Sequence, residues 1–314
     1  MQAERSLAFV AGEASGDLLT APVITEVLRR APNMHCVGVG GDRMNAAGFE
    51  AWNHVRELSV RGYVEVVRHL PRLITLRRTL RERVIATRPA VFIGVDAPDF
   101  NLGLEEQLRG QGVRTVHFVS PSIWAWRGER ITQIARAVDR MLLVFPFEQK
   151  IYDEAGIPAS YVGHPLANII PMTPDAAAAR RRLNLQLEGP LLAVLLGSRA
   201  DEVRHNGPTF IAAMAAIAAE QPSMRFAMPV ADPTFKHSIQ QMLAVQPTLA
   251  TRVDIVDGHS HDCLEASDTV LVASGTATLE AALFKRPMVI AYKMSPLTAW
   301  IMWRKGRIPF VGLP

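Results

Sequence analysis

The sequence predicts an α/β protein made of two doubly wound lobes, each a parallel sheet covered by helices. Three observations lead to this fold class. The chain has 314 residues, enough for two domains of roughly 100–200 residues each. Short aliphatic and β-branched runs alternate with longer helical stretches, as they do in strand–helix–strand units. A proline-rich stretch from Gly163 to Pro174 lies near the middle of the chain and is typical of an interdomain linker.

These boundaries give an N-terminal lobe over residues 1–168, a linker over 169–184 and a C-terminal lobe over 185–314. The predicted strands of the N-terminal lobe are 7–10, 35–39, 91–95, 115–119, 141–145 and 161–162. Those of the C-terminal lobe are 191–196, 225–228, 253–256, 269–273 and 288–292. Ligands of such sheets bind at the carboxyl ends of the strands, so the loops after these strands hold the candidate residues.

Composition restricts the class of protein and its location. Hydrophobic residues make up 49% and charged residues 20% of the chain, which is a globular balance. Two cysteines cannot frame a disulfide scaffold, and this favours a reducing compartment. The longest apolar run, Phe210 to Ala219, is too short to span a bilayer, and the N-terminus lacks a signal-peptide core. We therefore expect a cytoplasmic protein.

The positive charge is concentrated in one segment. The net charge is +4, yet Arg61 to Arg88 holds eight arginines and two glutamates, so the remainder of the chain is net negative. Nucleic-acid binding would need aromatic residues among these cations, and Tyr63 is the only one in this stretch. The segment therefore favours an anionic phospholipid surface over nucleic acid.

The loop after the first predicted strand is rich in small residues. Residues 11–18 read AGEASGDL, and such a strand–glycine–helix turn exposes backbone N–H groups to a ligand. The pattern is neither a dinucleotide fingerprint nor a P-loop. Gly12, Glu13, Ser15, Gly16 and Asp17 are candidate ligand-binding residues. The alternative is a tight turn in which Asp17 or Ser15 caps the helix.

Two further loops of the N-terminal lobe carry candidate side chains. Asp96 follows a fully apolar strand, where partial burial would raise the pKa of its carboxyl and suit it to act as a general base toward a hydroxyl. Asp99 is expected to cap the helix that follows. Trp124, Trp126 and Arg127 lie in the next loop and form either a sugar or acyl platform or packing between the lobes.

The C-terminal lobe repeats the strand–glycine–helix pattern twice. Gly197, Ser198 and Arg199 follow its first strand, and the arginine is placed to bind phosphate. A later strand runs through 274–277, Ser-Gly-Thr-Ala, into a helix whose N-terminus favours anions. Glu280 lies within reach of a ribose diol there. These features together indicate a nucleotide diphosphate bound without a metal.

No metal motif or cofactor motif is recognisable. Residues 259–263, His-Ser-His-Asp-Cys, have ligand-like spacing but no second half. A polar helix cap is the simpler explanation for them, and we expect neither a metal nor an organic cofactor.

Several of these motifs resemble, in order and along nearly the whole chain, the lipid-A-disaccharide synthase family of inverting glycosyltransferases. The matching stretches are AGEASGD (11–17), VGVGG (37–41), GVDAPDFN (94–101), VSPSIWAWR (119–127), FPFE (145–148), YVGHPL (161–166), GSR (197–199), LVASGTATLEAAL (271–283) and MVIAYKMSP (288–296). The resemblance implies two Rossmann-like lobes facing across a cleft, the GT-B type.

The resemblance also implies a reaction. UDP-2,3-diacylglucosamine would donate its sugar to 2,3-diacylglucosamine 1-phosphate (lipid X), giving the β-1,6-linked disaccharide 1-phosphate and UDP with inversion. Asp96 would deprotonate the acceptor 6-hydroxyl. Arg199, its loop and the helix after Ser274 would hold the diphosphate, and Glu280 would orient the ribose. The glycine loop at 12–17 and the 124–127 loop would lie on the acceptor side.

Lipid substrates give the basic segment a function. An amphipathic helix with arginines at headgroup level would bind the protein to the inner face of the inner membrane. Its expected membrane contacts are Val64, Val67, Leu70, Ile74, Arg68 and Arg72. The alternative is an ordinary helix that covers the first sheet. The sequence leaves a homodimer open.

The chain departs from the family pattern in three places. Leu196 replaces a proline before Gly-Ser-Arg, Asn168 replaces an aspartate, and the sequence stops at Pro314, where relatives continue. We therefore expect the second lobe to be incomplete. Two alternatives follow: a non-catalytic nucleotide- or lipid-binding remnant, and another UDP-sugar enzyme of the same fold, such as an epimerase.

Overall fold

The structure is a computed structural model that describes residues 5–58, 63–125 and 127–293. The chain divides into two compact units, Met1–Pro165 and Leu166–Pro314. Residues 169–184, expected to form a linker, belong to the second unit and contain a helix over Ala176–Arg182. The two parallel sheets confirm the predicted fold class.

The first unit contains a seven-stranded parallel sheet in the order β3-β2-β1-β4-β5-β6-β7. Its strands are β1 (Ser6–Ala11), β2 (His35–Gly40), β3 (Glu50–His54), β4 (Val91–Val95), β5 (Thr115–Phe118), β6 (Arg140–Leu143) and β7 (Ala159–Tyr161). Sequence analysis did not predict β3, because this edge strand contains no β-branched residue.

In the described part of this unit, six α-helices accompany the sheet. They are α1 (Ala14–Arg30), α2 (Asp42–Ala46), α3 (Tyr63–Thr87), α4 (Pro98–Arg109), α5 (Ile131–Ala137) and α6 (Gln149–Glu154). Helix α4 begins at a proline, whose fixed φ and missing N–H suit a first helical position. It buries Leu104 and Leu108 in one core cluster and Leu102 in another, so it is fixed firmly beneath the loop that precedes it.

The second unit contains a five-stranded parallel sheet in the order β10-β9-β8-β11-β12. Its strands are β8 (Leu191–Leu195), β9 (Arg225–Val230), β10 (Val253–Asp257), β11 (Thr269–Ala273) and β12 (Met288–Ala291). Its helices are α7 (Leu166–Ile169), α8 (Ala176–Arg182), α9 (Ala200–Glu220), α10 (Lys236–Ala244), α11 (Ser260–Ala266) and α12 (Thr276–Leu283). Every residue of the central strand β8 is buried, as expected for a strand covered on both faces.

Each sheet reverses its winding direction once. The chain leaves β1 toward β2 on one side and returns to β4 on the other, and it does the same at β8 and β11. A crevice opens at such a switch point, outside the carboxyl ends of the two strands, and ligands of open α/β sheets bind there. The loops after β1 and β4, and those after β8 and β11, are therefore the places to look for a site.

Candidate active site

The loops after β1 and β4 touch each other at Gly12. The N–H of Gly12 lies 3.4 Å from the carbonyl oxygen of Val95. A Cβ at Gly12 would lie 2.0 Å from the Cβ of Ala97, so no larger residue fits. Gly16 packs the start of α1 against Ala11 and Val95 in the same way, with a Cβ distance of 3.3 Å to Ala11. These two glycines bring the first loop against the loop that carries Asp96.

Asp96 is held at the carboxyl end of β4 in an unusual backbone conformation. Its φ is 52° and that of Ala97 is 43°, both in the left-handed region, which costs a non-glycine residue about 1 kcal/mol or more. The Asp96 N–H donates to the Phe118 carbonyl at 3.0 Å. The hydroxyl of Ser15 donates to Oδ2 of Asp96 at 3.3 Å. Backbone and side chain are thus both fixed from neighbouring loops.

The carboxyl group of Asp96 has a pKa above its ordinary value. Burial is the main cause, and the negative charge of Glu13 adds to it. The backbone N–H of Ala97, the charge of His117 and the hydroxyl of Ser15 act in the opposite direction. A carboxylate with a raised pKa is a stronger base than an exposed aspartate, which suits it to accept a proton from a hydroxyl.

Asn101, from the first turns of α4, fixes the Asp96 loop from below. Its side chain is fully buried, and its Nδ2 lies 3.1 Å from the Val10 oxygen, 3.2 Å from the Val95 oxygen and 2.9 Å from the Asp96 oxygen. One amide therefore links the ends of β1 and β4. Sequence analysis missed this role, although Asn101 is the last residue of the DAPDFN motif.

A fully buried histidine–glutamate pair lies deeper in the same region. His117 Nδ1 of β5 is 2.8 Å from Glu105 Oε1 of α4, and neither side chain is exposed. A Cβ at Gly94 would lie 2.1 Å from that oxygen, so the glycine in β4 makes room for the glutamate. Within the described ranges, Glu105 Oε2 and His117 Nε2 are buried without a hydrogen-bond partner.

Asp17 has a structural role. Its buried carboxylate accepts backbone N–H groups from Gly41 at 2.8 Å, Arg43 at 3.2 Å and Met44 at 3.0 Å. It therefore stabilises the N-terminus of α2, where a negative charge is favourable. Sequence analysis had placed Asp17 among the acceptor-side residues together with the rest of its glycine loop. It missed these contacts because the partners lie on a separate segment of the chain.

Trp124 belongs to a row of aromatic rings at the carboxyl ends of β5, β6 and β7. Its ring lies 5.3 Å from that of Phe147 in an edge-to-face arrangement. Phe147 stacks on Phe145 at 5.6 Å, and Phe145 lies 5.9 Å from His164. Phe147 is half exposed, so the row presents apolar ring surface to solvent. Trp126, predicted beside Trp124, lies outside the described residues.

Glu148 supports this row from the interior. It is buried, and its Oε2 accepts the N–H of Phe145 at 3.2 Å. Burial raises the pKa of Glu148 to about 7, against the hydrogen bonds from Phe145 and from the side chains of Ser120 and Trp124. The Ser120 hydroxyl also lies 2.7 Å from the Tyr152 hydroxyl. Sequence analysis did not identify Glu148 as a functional residue. It is the third residue of a helical turn, and a glutamate at that position often accepts a backbone N–H at the start of the turn.

Asp99 does not cap α4, and that prediction is wrong. The helix begins after Ala97 without a side-chain cap. The carboxylate of Asp99 instead pairs with Arg127, at 3.1 Å, and with Arg130. Both arginines come from the loop after β5, about thirty residues along the chain, so no local pattern could indicate this pairing. Arg127 therefore lies next to the start of α4.

In the second unit, the loop after β8 surrounds a carboxylate. Gly197 has a φ of 119°, and a Cβ there would lie 2.5 Å from Glu202 Oε2. Glu202 accepts the N–H of Ser198 at 2.9 Å, the guanidinium of Arg199 at 3.1 Å and the hydroxyl of Tyr292 at 3.4 Å. The loop thus binds an anionic group supplied by the protein itself. Glu202 was missed, although a glutamate at the third position of α9 is a recognisable helix-start signal.

The loop after β11 leads into the open N-terminus of α12. Gly275 has a φ of 151°, and no atom lies within 4 Å of the place of a Cβ. No side chain caps this helix in the described part of the chain. Gly275 and Thr276 are exposed, Ser274 and Ala277 are partly exposed, and Thr278 donates to the Gly275 oxygen at 2.8 Å. Backbone N–H groups and the positive end of the helix dipole therefore face solvent.

Glu280 is nearly buried in α12. Its Oε1 lies 3.7 Å from His261 Nε2, and the His261 ring packs edge-on against Phe284 at 5.5 Å. Nearby, His259 Nδ1 lies 2.9 Å from Asp262 Oδ2 at the start of α11. Across residues 5–58, 63–125 and 127–293, no group of three His, Cys, Asp or Glu side chains is arranged to hold a metal ion.

Asn206 is the counterpart of Asn101 in the second unit. It is fully buried in α9; its Nδ2 donates to the Leu196 oxygen at 2.9 Å, and its Oδ1 accepts the N–H of Lys293 at 2.8 Å. One amide again fixes the loop at the end of the central strand, and it does so next to the loop that carries Arg199. Sequence analysis did not identify this residue.

The described part of the basic helix α3 carries both buried and exposed apolar side chains. Leu80 and Val84 are buried against the sheet, whereas Leu70 and Ile74, one turn apart, are 47% and 58% exposed. Arg72 lies between them in sequence, 3.6 Å from Glu57. The side chains of Val64, Val67 and Arg68 lie outside the described residues. Where the structure describes the chain, none of the helices combines the length and apolarity required to cross a bilayer.

Comparison with known sequences gives one family. The profile of a family described as lipid-A-disaccharide synthetase matches residues 7–314. A lipid-A-disaccharide synthase of Paraburkholderia phytofirmans is 52% identical over 309 residues, which cover 98% of this chain and 79% of that protein. One of Cupriavidus pinatubonensis is 53% identical over 310 residues, with coverage of 98% and 77%.

Among solved structures, the UDP-GlcNAc 2-epimerase of Neisseria meningitidis bound to UDP-GlcNAc has a similar fold. The TM-score is 0.66 over 94% of this chain and 85% of that chain, and the sequences are 12% identical. At this identity the similarity concerns the fold alone.

Proposed function

This chain belongs to the lipid-A-disaccharide synthase family and is a glycosyltransferase of lipid A disaccharide formation, and we propose that it joins UDP-2,3-diacylglucosamine to lipid X. The products are the β-1,6-linked disaccharide 1-phosphate and UDP. The observation that carries the proposal is Asp96, a base with a raised pKa that is fixed at the β1/β4 switch point. Membership of the family gives no support to the epimerase alternative.

Asp96 is the general base in this proposal. Its carboxylate accepts the proton of the acceptor 6-hydroxyl while the oxygen attacks the anomeric carbon of the donor. The attack comes from the face opposite the departing UDP, so the configuration inverts. Ser15 and Asn101 keep the carboxylate and its loop in place, and such positioning lowers the barrier because no reorganisation is required during the reaction.

The diphosphate of the donor binds the second unit. Arg199 and the start of α12 offer positive groups that stabilise the charge which develops on the leaving UDP. Glu202 holds the N–H of Ser198 and the guanidinium of Arg199 in the binding geometry before the ligand arrives. Glu280 binds the ribose hydroxyls, and His261 limits its freedom of movement.

The acceptor binds the first unit. Gly12 and Gly16 keep the β1 loop close to Asp96, and Glu13 and Ser15 lie in that loop. The aromatic row of Trp124, Phe147 and Phe145 covers apolar substrate surface. Leu70 and Ile74 enter the interfacial region of an anionic membrane, from which both lipid substrates are drawn.

The test measures UDP release from UDP-2,3-diacylglucosamine in the presence of lipid X. Asp96→Asn keeps the shape of the side chain but removes the base, so kcat falls by about 10²- to 10⁴-fold. Asp42→Asn is the matched control, because Asp42 follows the neighbouring strand β2 and its side chain is 80% exposed. The kcat of this variant stays within about twofold of the wild-type value. A wild-type rate in the Asp96→Asn variant would contradict the proposal.

A further inference from the structure

Glu148 is a buried carboxylate that the proposed reaction does not use. It lies in the turn after β6 and is 1% exposed. Its Oε2 accepts the backbone N–H of Phe145 at 3.2 Å, and the side chains of Ser120 and Trp124 also form hydrogen bonds with it. Ser120 and Trp124 belong to the loop after β5, so one carboxylate links two neighbouring loops at the carboxyl edge of the sheet.

The interior side of this carboxylate is fixed by the core. The Ser120 hydroxyl lies 2.7 Å from the hydroxyl of Tyr152, a fully buried residue of α6 that belongs to the same core cluster as Ile134 and Leu143. Burial is the main reason that the pKa of Tyr152 is raised, so this phenol stays uncharged. The position of Glu148 is therefore set by close-packed, hydrogen-bonded groups.

Glu148 binds both ends of the aromatic row formed by Trp124, Phe147 and Phe145. It forms hydrogen bonds with the side chain of Trp124 at one end and with the backbone of Phe145 at the other. Between them, the Phe147 ring contacts Trp124 edge-on at 5.3 Å and stacks on Phe145 at 5.6 Å. Half of Phe147 is exposed. The orientation of the exposed ring surface therefore depends on Glu148.

The hydrogen bonds to Glu148 come from neutral donors. The backbone N–H of Phe145 and the indole N–H of Trp124 can only donate, so both favour the ionised carboxylate, which only accepts, over the protonated acid. Burial acts in the opposite direction and raises the pKa of Glu148 to about 7. The hydrogen bonds are therefore strongest above that pH, and they weaken as the group takes up a proton.

We propose that Glu148 is a positioning residue for acceptor binding: its carboxylate holds the Trp124 ring against Phe147, and the ring surface fixed in this way covers the apolar parts of the acceptor. The inference rests on the proposed function, which assigns the aromatic row to the acceptor. Glu148 acts through Trp124 and does not touch the substrate. A ring that is oriented beforehand binds more tightly, because less conformational freedom is lost when the ligand arrives.

Titratable side chains around this carboxylate come from α6 and from two loops. Those of α6, besides the buried phenol, are exposed: Lys150, Asp153 and Glu154. In the loop after β5, Arg127 pairs with Asp99 at 3.1 Å. In the loop after β7, the His164 ring lies 5.9 Å from that of Phe145. His164 is therefore a neighbour whose titration has to be separated from that of Glu148.

The kinetic test measures the KM for lipid X as a function of pH in the wild type and in Glu148→Gln, which keeps the shape of the side chain but never carries the charge. Above pH 7 the KM of the variant is about 5- to 30-fold higher, since hydrogen bonds to a charged group are stronger than those to a neutral one. Below pH 7 the two KM values converge, because the wild-type carboxyl is then protonated as well. The titrations of His164 and of the acceptor phosphate are common to both proteins and cancel in the ratio.

The change is confined to acceptor binding. The kcat at saturating lipid X and the KM for the donor differ from the wild-type values by no more than about twofold. A KM ratio that is the same at every pH would overturn the inference, because it would show a merely structural role for Glu148. A loss in kcat without a change in KM would also overturn it.

A double variant tests whether Glu148 acts through Trp124. Trp124→Phe keeps an aromatic ring but removes the indole N–H, so it raises the KM for lipid X by a similar factor. Glu148→Gln/Trp124→Phe is then no worse than the more affected single variant, whereas additive losses would overturn the inference. Trp124→Phe leaves the buried carboxyl unaltered, so it tests the same link even if Glu148→Gln does not fold.

Glu154→Gln is the matched control for the change from carboxylate to amide. Glu154 belongs to α6, its side chain is 68% exposed, and it lies 3.8 Å from Lys150. This variant keeps the wild-type KM for lipid X and its dependence on pH.

A binding experiment separates this inference from the proposed function. The dephosphorylated acceptor 2,3-diacylglucosamine, in detergent micelles and without donor, is titrated into the wild type and Glu148→Gln above and below pH 7. Tighter binding above pH 7 by the wild type alone supports the inference, even if no UDP is released with lipid X, in which case the transferase proposal fails by itself. A wild-type affinity that does not change with pH would overturn the inference.

Discussion

The two units contain the same kind of crevice but fill it with opposite chemistry. Between β1 and β4, the first unit presents a carboxylate, Asp96, whose pKa is raised by burial. Between β8 and β11, the second unit presents backbone N–H groups, Arg199 and the open N-terminus of α12. The first crevice is therefore suited to remove a proton, and the second to bind an anion.

The two crevices also differ in the residue types that adopt positive φ in their loops, and this difference fits their different chemistry. Asp96 and Ala97 adopt left-handed conformations although neither is glycine, and Val119 after β5 has a φ of 74°. In the loops after β8 and β11 of the second unit, the positions with positive φ are occupied by Gly197 and Gly275, where such a conformation costs little. The first unit thus stores strain where it must aim a side chain, and the second uses glycine where it must expose backbone N–H groups.

The comparison extends to the membrane. We expect the exposed apolar side chains of α3 in the first unit to bind the bilayer. Leu70→Ser/Ile74→Ser reduces binding to vesicles that contain phosphatidylglycerol by roughly 10- to 150-fold, because about half of the burial energy of each side chain, roughly 1.5–3 kcal/mol in full, is lost. Co-sedimentation with vesicles measures this.

The control for the membrane experiment lies in the second unit. Leu187 is 52% exposed, comparable with Leu70, so Leu187→Ser removes a similar apolar surface and leaves vesicle binding within about twofold. An equal loss of vesicle binding in both variants, or no loss in the Leu70→Ser/Ile74→Ser variant, would contradict the proposal that α3 contacts the membrane.

Variants of the two buried asparagines, Asn101 and Asn206, test whether the two units have different functions. Asn101→Ala and Asn206→Ala each leave buried carbonyl or N–H groups unpaired, so urea unfolding shows a loss of about 1–3 kcal/mol in the free energy of unfolding in each case. Asn101→Ala also lowers kcat, whereas Asn206→Ala weakens UDP binding. Exposed Asn45→Ala in α2 is the control. The division fails if both variants change the same kinetic parameter.

The pH profile of kcat probes the surroundings of Asp96. In the proposed reaction Asp96 works deprotonated, so we expect activity to be lost as the pH falls through its pKa. Glu13 raises this pKa and His117 lowers it, and Glu105 pairs with His117. Glu13→Gln therefore moves the acidic limb of the profile to lower pH, and His117→Gln moves it to higher pH. Shifts in the same direction would show that these charges do not act on the base.

The sequence predicted those structural features that depend on residues close together in the chain. Strands such as 91–95 and 269–273 are continuous apolar runs and match β4 and β11 residue for residue. The residues after these strands therefore fell at the carboxyl edges of the two sheets. The edge strand β3 was missed because its residues, Glu50–His54, are polar, aromatic or small.

Pairings across long stretches of chain could not be predicted in this way. Asp17 stabilises the N-terminus of α2, which begins 25 residues later in the chain. Asp99 pairs with Arg127 and Arg130 from another loop. Each partner is an ordinary polar residue in its own segment, and only the fold brings the partners together. Glu202 and Glu148 are intermediate cases, because each occupies a recognisable helix-start position but its function depends on the tertiary surroundings.

The most direct test of the division between the two crevices is the affinity for UDP, measured by calorimetry on two single variants. We expect Asp96→Asn to bind UDP as tightly as the wild type although its turnover is lost. Arg199→Gln should bind UDP about 10- to 100-fold more weakly, since it loses a charge-assisted contact with phosphate, while Arg204→Gln, in the helix α9 that follows Arg199, is unchanged. Weaker UDP binding in Asp96→Asn, or wild-type affinity in Arg199→Gln, would contradict the account.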